Sequence, residues 1–314
     1  MNARDPVSEA ADDVVIRPLR SLDEYRACVE LQERTWGEGF AERVPVSHLI
    51  LVQRIGGIAA GAFDTAASAA AADREVVERA DAADTEHRGG TLIGFVYGVT
   101  GIEDRRPVHW SDMLAVAPEH RNRGIGERLK RYQRDRLLPL GVETVYWTCD
   151  PLESRNAFLN FARLGVVCGE YRRNLYGDTD SPLHTGIGTD RFVVRWPIAS
   201  ARVRRRLEGS EPPPTIEDDV VASIPVVNPT RPVDDDGTLR CDPPDLSLDS
   251  PRLRIAIPAD IQRLKTDAPD AALAWRRHTR TAFEHFFDRG YHAVDAVRDG
   301  DRTFYLLDGD PTLD

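Results

Sequence analysis

The clearest chemical pattern in the sequence is Arg121-x-x-Gly124-x-Gly126, placed between a predicted strand and a predicted helix. Glycines at a helix start let the backbone approach an anion, and the first helical turn has N–H groups without helical partners. With the helix dipole, these groups can hold a pyrophosphate. Two other phosphate motifs are excluded, because Leu129 replaces the third glycine of a dinucleotide fingerprint and Glu127 replaces the P-loop lysine.

This stretch resembles the acyl-CoA signature, R/Q-x-x-G-x-G/A, of the GNAT superfamily of acyl-CoA-dependent N-acyltransferases. Residues 114–118 look like the family's fourth strand, and residues 154–165 are similar to its following helix. Residues 150–156 and 188–192 resemble a little-characterised GNAT-like subgroup. The resemblance implies an α/β (α+β) fold, with a mixed, mostly antiparallel twisted sheet flanked by helices.

The resemblance also implies acetyl-CoA or another acyl-CoA as cosubstrate. In the family, the pantetheine arm inserts between two splayed strands and pairs with strand backbone, while the glycine turn holds the pyrophosphate. The implied cofactor-binding residues are Leu114, Val116, Arg121, Arg123, Gly124, Ile125, Gly126 and Glu127. The Leu114 N–H group would polarise the thioester carbonyl, which is an oxyanion-hole role.

Transfer of an acyl group requires an amine to attack the thioester. A free amine is mostly protonated at neutral pH, so a base assists the reaction. Asp112 lies two residues before Leu114, and alternation places both on one strand face. Asp112 is therefore the first candidate base, and His109, at the start of the strand, is the alternative.

The general acid that is usual in the family has no counterpart in this sequence. Many GNAT enzymes use a tyrosine on the helix after the fifth strand, but Phe161 stands at that position. Three alternatives remain open. Tyr171 or Tyr176 protonates the sulfur, the sulfur departs as a thiolate, or the protein binds acyl-CoA without efficient turnover.

Several polar residues are candidates for acceptor recognition, because an arginine with an asparagine and a tyrosine suits a carboxylate or another polar group. The candidates are Arg34, Trp36, Asp150, Arg155, Asn156, Tyr176 and Arg191. Asp150 and Ser154 are also well placed simply to cap the helix that follows them. The acceptor is therefore expected to be an amine on a small molecule or a peptide.

The order of predicted elements indicates one α/β domain over residues 14–200. Ser21 and Glu24 form a capping box for a helix over 21–36. Strands are predicted at 14–18, 49–54, 91–100, 110–116, 144–149 and 191–196, and further helices at 124–138 and 154–164. Residues 64–90, rich in alanine and acids, predict a flexible insertion.

A second region follows an acidic, proline-rich linker. Residues 208–251 hold nine of the 21 prolines, with eleven acids and two arginines. Residues 252–314 predict a small β-α-β-β half-domain with a hairpin around Gly300. We expect this half-domain to complete a sheet in its own chain or in a dimer mate, because it is too short to fold alone.

Composition restricts the classes of function. The net charge of −11 over 314 residues comes mainly from the linker, so a basic face for nucleic acid is not expected. No uncharged apolar stretch approaches the length of about 20 residues that spans a bilayer. The four cysteines are far apart and no metal-binding spacing occurs, so no metal site is expected. With no secretory pattern at the N-terminus, the expected compartment is the cytoplasm.

Overall fold

The computed structural model describes residues 13–66, 90–177, 186–210, 212–233 and 238–311. The chain forms two compact units. Unit 1 comprises Met1–Gly101 and Ser111–Leu140, and unit 2 comprises Ile102–Trp110 and Gly141–Asp314. Most of the predicted insertion, residues 67–89, lies outside the described residues.

The elements follow in chain order. The strands are β1 (Val14–Pro18), β2 (Ile58–Asp64), β3 (Thr91–Glu103), β4 (Arg106–Val116), β5 (Thr144–Cys149), β6 (Tyr171–Arg172), β7 (Arg191–Pro197), β8 (Thr230–Val233), β9 (Thr238–Cys241), β10 (Arg252–Pro258), β11 (His292–Asp299) and β12 (Arg302–Asp308). The helices are α1 (Leu22–Trp36), α2 (Val46–Arg54), α3 (Ile125–Leu137), α4 (Ser154–Ala157), α5 (Ala201–Leu207), α6 (Asp219–Ser223), α7 (Ile261–Asp267) and α8 (Pro269–Asp288). A π-helical turn, Phe158–Arg163, continues α4.

Strand pairing confirms the predicted mixed, mostly antiparallel sheet flanked by helices. In unit 1, β2 pairs antiparallel with β1 and with β3. In unit 2, the first part of β4 pairs parallel with β5 over Val108–Trp110, and β7 pairs antiparallel with β5 and β6. None of the described helices combines the length and apolar character that crossing a membrane requires.

Helix α1 begins as the sequence predicts. The Ser21 side chain accepts a hydrogen bond from the Glu24 N–H group, and the Glu24 carboxylate accepts one from the Ser21 N–H group. This capping box satisfies two donors that the helix itself leaves unpaired. The buried side of α1, including Cys28 and Leu31, then packs into the core of unit 1.

The prediction of a strand over 49–54 is wrong, because the chain forms α2 there. The continuous apolar run suggested a strand, but Leu49 and Val52 are buried three residues apart, which is the spacing of a helix face. Leu51 and Ile50 point outward and are exposed. Tertiary packing of one face therefore determines the helix, despite apolar residues on both sides.

The segment predicted as a linker contains ordered elements in unit 2. Helix α6 and the β8–β9 hairpin lie within residues 208–251, and Val221, Val227 and Asn228 are buried. The Asn228 side chain exchanges two hydrogen bonds with the backbone of Ala256. Buried apolar residues and several hydrogen bonds, including those of the Asn228 amide, hold the segment, although its overall composition is acidic and rich in proline.

The C-terminal half-domain forms a three-stranded antiparallel sheet in the order β10-β12-β11, with the long helix α8. An antiparallel bridge joins Cys168 to Ala293 within the same chain, with hydrogen bonds of 2.9 and 2.7 Å. This bridge connects β11 to the segment that follows the π-helical turn. The half-domain therefore pairs with a segment of its own chain through this bridge.

An aromatic cluster lies at the centre of unit 2. The Phe192 ring on β7 is fully buried, and the rings of five other aromatic residues lie within about 6 Å of its centroid. These residues are Phe161, Tyr171, Phe283, Phe287 and Tyr305. They come from the π-helical turn, β6, α8 and β12, so one ring holds four elements together.

Truncation of the Phe192 ring should therefore strongly destabilise the protein. We expect Phe192→Ala to lower the free energy of unfolding by about 3–5 kcal/mol, because a large cavity remains among rigid neighbours. Urea unfolding followed by circular dichroism measures the change. Val220→Ala, at an exposed position, is the control and should change the value by less than about 0.5 kcal/mol. Equal losses in the two variants would contradict the central packing role of the Phe192 ring.

Candidate functional site

The N-terminus of α3 in unit 1 has no side-chain cap. Gly124 is the N-cap residue, and the first helical hydrogen bond runs from the Arg128 N–H group to the Gly124 carbonyl at 3.0 Å. The N–H groups of Ile125, Gly126 and Glu127 therefore have no helical acceptor. Donors of this kind, at the positive end of a helix dipole, favour an anion.

The turn before α3 keeps this helix end open. Gly124 has φ of +73°, in the left-handed region that favours glycine. A Cβ atom at this position would meet no atom within 4 Å, so only the backbone conformation selects glycine. Asn122 also has positive φ. Among the described residues, this turn combines open space at Gly124 with first-turn N–H groups that have no helical acceptor, which is compatible with the predicted pyrophosphate site.

The side chains of the same turn have separate partners. The Arg121 Nε atom donates to the Val116 carbonyl at 3.1 Å and so ties the turn to the end of β4. The exposed Arg123 guanidinium contacts the His120 ring at 3.0 Å. Glu127 pairs with an arginine one helical turn further along α3. Arg121 and Arg123 are both exposed, so both guanidinium groups are placed where a phosphate could approach.

Alternation along β4 separates the two candidate bases. Asp112 is exposed, and Leu114 and Val116 on the same face are partly exposed. Ser111, Met113 and Ala115 form the buried face. By the same alternation, His109 lies on the buried face, and it is 0% exposed. Of the two candidate bases, Asp112 is therefore the one that is exposed to solvent.

Tyr97 on β3 is a residue that sequence reasoning missed. Burial raises the pKa of Tyr97, and the Asp112 carboxylate raises it further. The phenol is therefore near the candidate base and remains protonated at neutral pH. A tyrosine in an apolar strand carries no sequence signal that would single it out.

Two predicted acceptor residues belong to a buried ionic cluster in unit 2. The Asp150 carboxylate accepts a hydrogen bond from Arg276 Nη2 at 2.6 Å and lies 3.6 Å from Arg191 Nη1. It also accepts one from the Leu152 N–H group at 2.8 Å. Asp150, Arg191 and Arg276 are all less than one-tenth exposed. Asp150 therefore stabilises the end of β5 and pairs with two arginines.

A second buried carboxylate belongs to the same cluster. Asp190 accepts two hydrogen bonds from Arg280, at 2.7 and 3.0 Å, and one from the Tyr171 hydroxyl at 2.6 Å. Burial opposes ionisation of Asp190, but the hydrogen bonds from Arg280, Tyr171 and the Asn174 N–H group lower its pKa. Burial raises the pKa of Tyr171, so this phenol remains protonated as the donor.

The other acceptor candidates are distributed over both units. In unit 2, the Tyr176 hydroxyl lies 2.7 Å from Thr148 Oγ1, and the Arg191 guanidinium lies 5.3 Å from the Tyr176 ring. Arg155 and Asn156 are exposed on α4. Unit 1 holds the exposed Arg34 and the half-buried Trp36, whose ring stacks on Phe40 at 5.5 Å. The structure thus brings together Asp150, Tyr176 and Arg191.

The residue at the position of the family's usual acid is part of the core. The Phe161 ring is fully buried and lies 5.1 Å from the Tyr305 ring. Tyr305 is contributed by β12, and its hydroxyl donates to the Pro151 carbonyl at 3.0 Å. Of the two substitutes, Tyr171 donates to Asp190 and Tyr176 contacts Thr148. Both of these tyrosine hydroxyl groups therefore already have a hydrogen-bonding partner.

Sequence reasoning also missed Arg276 and Arg280 on α8. Both are charged, yet Arg276 follows Ala272 by four residues on the buried helix face and Arg280 is one turn further along. The sequence did contain one indication of a buried ion pair, because Arg276 has the same helical spacing as the apolar residues of the buried face. Among residues that the structure describes, no three His, Cys, Asp or Glu side chains cluster to hold a metal ion.

Comparisons with known proteins give the following findings. Residues 69–165 match the acetyltransferase (GNAT) family. No curated protein matches the chain. The ribosomal-protein-S18-alanine N-acetyltransferase from Escherichia coli is 18% identical at a TM-score of 0.40, over 60% of this chain and 96% of that chain. A phosphinothricin acetyltransferase from Sinorhizobium meliloti, solved with AcCoA, is 16% identical at a TM-score of 0.43, over 59% and 88%.

The lowered pKa of Asp190 predicts a pH dependence of stability. The ionised carboxylate stabilises the native state above the unfolded pKa of about 3.9, and this contribution is lost as pH falls through the lower native pKa. We expect Asp190→Asn to be less stable than the wild type at pH 7, by about 1–3 kcal/mol. The difference should shrink as the pH falls below about 4.

Unfolding free energies between pH 7 and pH 2.5 measure this effect. Asp23→Asn, whose side chain is 91% exposed, is the matched control and should follow the wild-type curve within about 0.5 kcal/mol. A constant difference between wild type and Asp190→Asn across the whole pH range would show that ionisation of Asp190 does not contribute to the free energy of unfolding.

Proposed function

Because the chain carries a GNAT acetyltransferase domain, we propose that it transfers an acyl group from acyl-CoA to an amine of a small molecule or peptide. The expected acyl group is acetyl. The observation that carries this proposal is the uncapped N-terminus of α3 behind Gly124, which lies within the matched residues. A backbone anion site follows β4 there, at the position that the Arg121-x-x-Gly124-x-Gly126 pattern marks.

Binding of acyl-CoA would use backbone donors first. The N–H groups of Ile125, Gly126 and Glu127 would hold the pyrophosphate, and the exposed Arg123 guanidinium would pair with its charge. The backbone of Leu114 and Val116 on β4 would hold the pantetheine arm. Bound acyl-CoA supplies the activated thioester.

In the proposed reaction, the acceptor nitrogen attacks the thioester carbonyl carbon and the carbon–sulfur bond breaks. Asp112 would take the proton that the ammonium form of the acceptor must lose, because it is exposed on the face of β4 that includes Leu114. The Leu114 N–H group would stabilise the developing oxyanion. The buried position of His109 favours Asp112 as the base.

The sulfur would leave as a thiolate, and the acceptor nitrogen would release its second proton to solvent as the amide forms. Phe161 has no hydroxyl, and Tyr171 and Tyr176 already have partners. A thiol has a pKa near 8.5, so its anion is a competent leaving group without prior protonation.

Acceptor recognition would involve Arg34, Trp36, Asp150, Arg155, Asn156, Tyr176 and Arg191. The four free, buried cysteines and the acidic net charge support a cytoplasmic enzyme without a nucleic-acid substrate.

A second candidate function is a CoA-binding regulatory or scaffold protein with little or no turnover. The observation that favours it is Phe161, buried against Tyr305 at the position of the family's acid. The two functions share the anion site at Gly124 and differ only in chemistry. Acetyl-CoA binding without thiol release from any amine would support the second.

Acetyl-CoA binding tests the anion site directly. We expect Gly124→Glu to weaken acetyl-CoA binding by at least tenfold, because a carboxylate would face the pyrophosphate. Calorimetric titration measures the dissociation constant. Gly124→Gln is the matched control, since it has the same size and the same strain at positive φ but no charge. Equal affinities of the two variants would place the pyrophosphate elsewhere.

Turnover tests the proposed base. We expect Asp112→Asn to lower kcat by about 10²–10⁴-fold, the range typical of general-base removal, while the acetyl-CoA affinity stays unchanged. Free-thiol release from acetyl-CoA with a panel of amines measures the rate. The loss should be smaller at high pH, where more of the amine is already deprotonated. An unchanged kcat would assign Asp112 a structural role.

A further inference from the structure

A cluster of arginines lies on the surface of unit 2. Arg155 belongs to α4, Arg163 ends the π-helical turn, and Arg298 lies on β11. All three side chains are exposed, and among the residues that the structure describes none of the three makes a hydrogen bond or an ion pair. The carboxylate next to Arg298 in the chain, Asp299, pairs with Arg302 instead. The fold therefore leaves these three charges without a carboxylate partner among its described residues.

The Phe158 ring holds two of these charges close together. The Arg298 Cζ atom lies 4.2 Å from the ring centroid, and the Arg163 Cζ atom lies 5.7 Å from it. Because the ring is half-buried, its contacts restrict the orientations of both guanidinium groups. Partial burial lowers the pKa of Arg298, and the charges of Arg155 and Arg163 lower it further. The three like charges are therefore close enough to repel one another.

The π-helical turn is the feature that places Arg163 beside Phe158. Its hydrogen bonds join residues five apart, as between the Leu164 N–H group and the Leu159 carbonyl at 3.0 Å. In a regular α-helix, residues five apart point about 140° away from each other. The contact of Arg163 with the Phe158 ring therefore depends on the wider turn. Such turns are rare and occur frequently at functional sites.

We propose that Arg155, Arg163 and Arg298 form a binding site for the phosphate group of a phosphomonoester. This group carries a charge of about −1.5 to −2 at pH 7 and three acceptor oxygens, so it can pair with several guanidinium groups at once. The planar fork of an arginine binds phosphate through two parallel hydrogen bonds. A single carboxylate has one charge and would leave more of the cluster unpaired. The net charge of −11 disfavours a long polyanion such as nucleic acid.

Calorimetric titration at constant ionic strength tests the site, with glycerol 3-phosphate as the probe. Glycerol is the uncharged comparison, and glycerate carries a carboxylate in place of the phosphate. We expect the wild type to bind glycerol 3-phosphate, to bind glycerate more weakly and not to bind glycerol. The inference is overturned if glycerol 3-phosphate does not bind, or if glycerate binds equally well.

Substitutions at the cluster show whether these arginines hold the phosphate. Arg163→Gln and Arg298→Gln should each weaken glycerol 3-phosphate binding about tenfold, as expected for loss of a charged hydrogen bond. Both side chains are exposed, so both variants should fold. Arg277→Gln removes the same charge from an exposed position on α8 and should retain the wild-type affinity. Equal affinities of the wild type and both cluster variants would also overturn the inference.

The phosphate has two sources, a phosphorylated acceptor or a separate ligand, and only the first rests on the proposed function. Acetyl transfer to phosphoethanolamine and to ethanolamine distinguishes them. A preference for phosphoethanolamine that Arg298→Gln abolishes assigns the site to the acceptor. Equal rates with both amines, alongside glycerol 3-phosphate binding, assign it to a separate ligand. Acetyl-CoA titration of the same preparation shows independently whether the proposed transferase binds its cosubstrate.

Discussion

Two buried carboxylates place the strongest constraint on unit 2, because a charge removed from water must be paired. Asp150 at the end of β5 and Asp190 before β7 are paired with Arg276 and Arg280, one turn apart on α8. Removing one partner from such a pair destabilises the protein, because the remaining charge is left buried without compensation. The position of α8 is therefore fixed by charge, and the Phe192 ring cluster fills the apolar space beside it.

The candidate site of unit 1 depends on backbone conformation and backbone N–H groups, whereas unit 2 depends on buried ion pairs. The unit 1 site depends on the left-handed conformation of Gly124 and on first-turn N–H groups that have neither a helical acceptor nor a side-chain cap among the described residues. The exposed face of β4 adds one carboxylate, Asp112, close to the protonated phenol of Tyr97. A turn and a strand thus supply most of the proposed chemistry.

Local patterns predicted the structure where one residue type determines one conformation. The capping box at Ser21, the strand at Thr144–Cys149 and the turn at Gly124 follow from local rules and were predicted correctly. The same approach predicted a strand over 49–54, where the structure has a helix, because an apolar run does not show which face is buried. It also took residues 208–251 for a linker, since average composition hides a few anchoring side chains.

The candidate site was less predictable than the fold. The motif around Gly124 identifies a backbone site, and alternation alone distinguishes Asp112 from His109. The partners of Asp150 and Asp190 lie 126 and 90 residues further along the chain. No local pattern connects them, and only the folded structure shows that a predicted recognition residue, Asp150, is already held by an arginine. Long-range pairing is therefore where the sequence carried least information.

This separation along the chain also orders the events of synthesis. While the ribosome is still producing the chain, Asp150 and Asp190 emerge long before Arg276 and Arg280 exist. The β5–β7 part of unit 2 must then keep its carboxylates in water and its aromatic rings incompletely covered until α8 arrives. Completion of unit 2 therefore depends on α8, which is synthesised after both carboxylates. Nascent chains released early would expose Phe192 and Phe161, a surface that chaperones and proteases recognise.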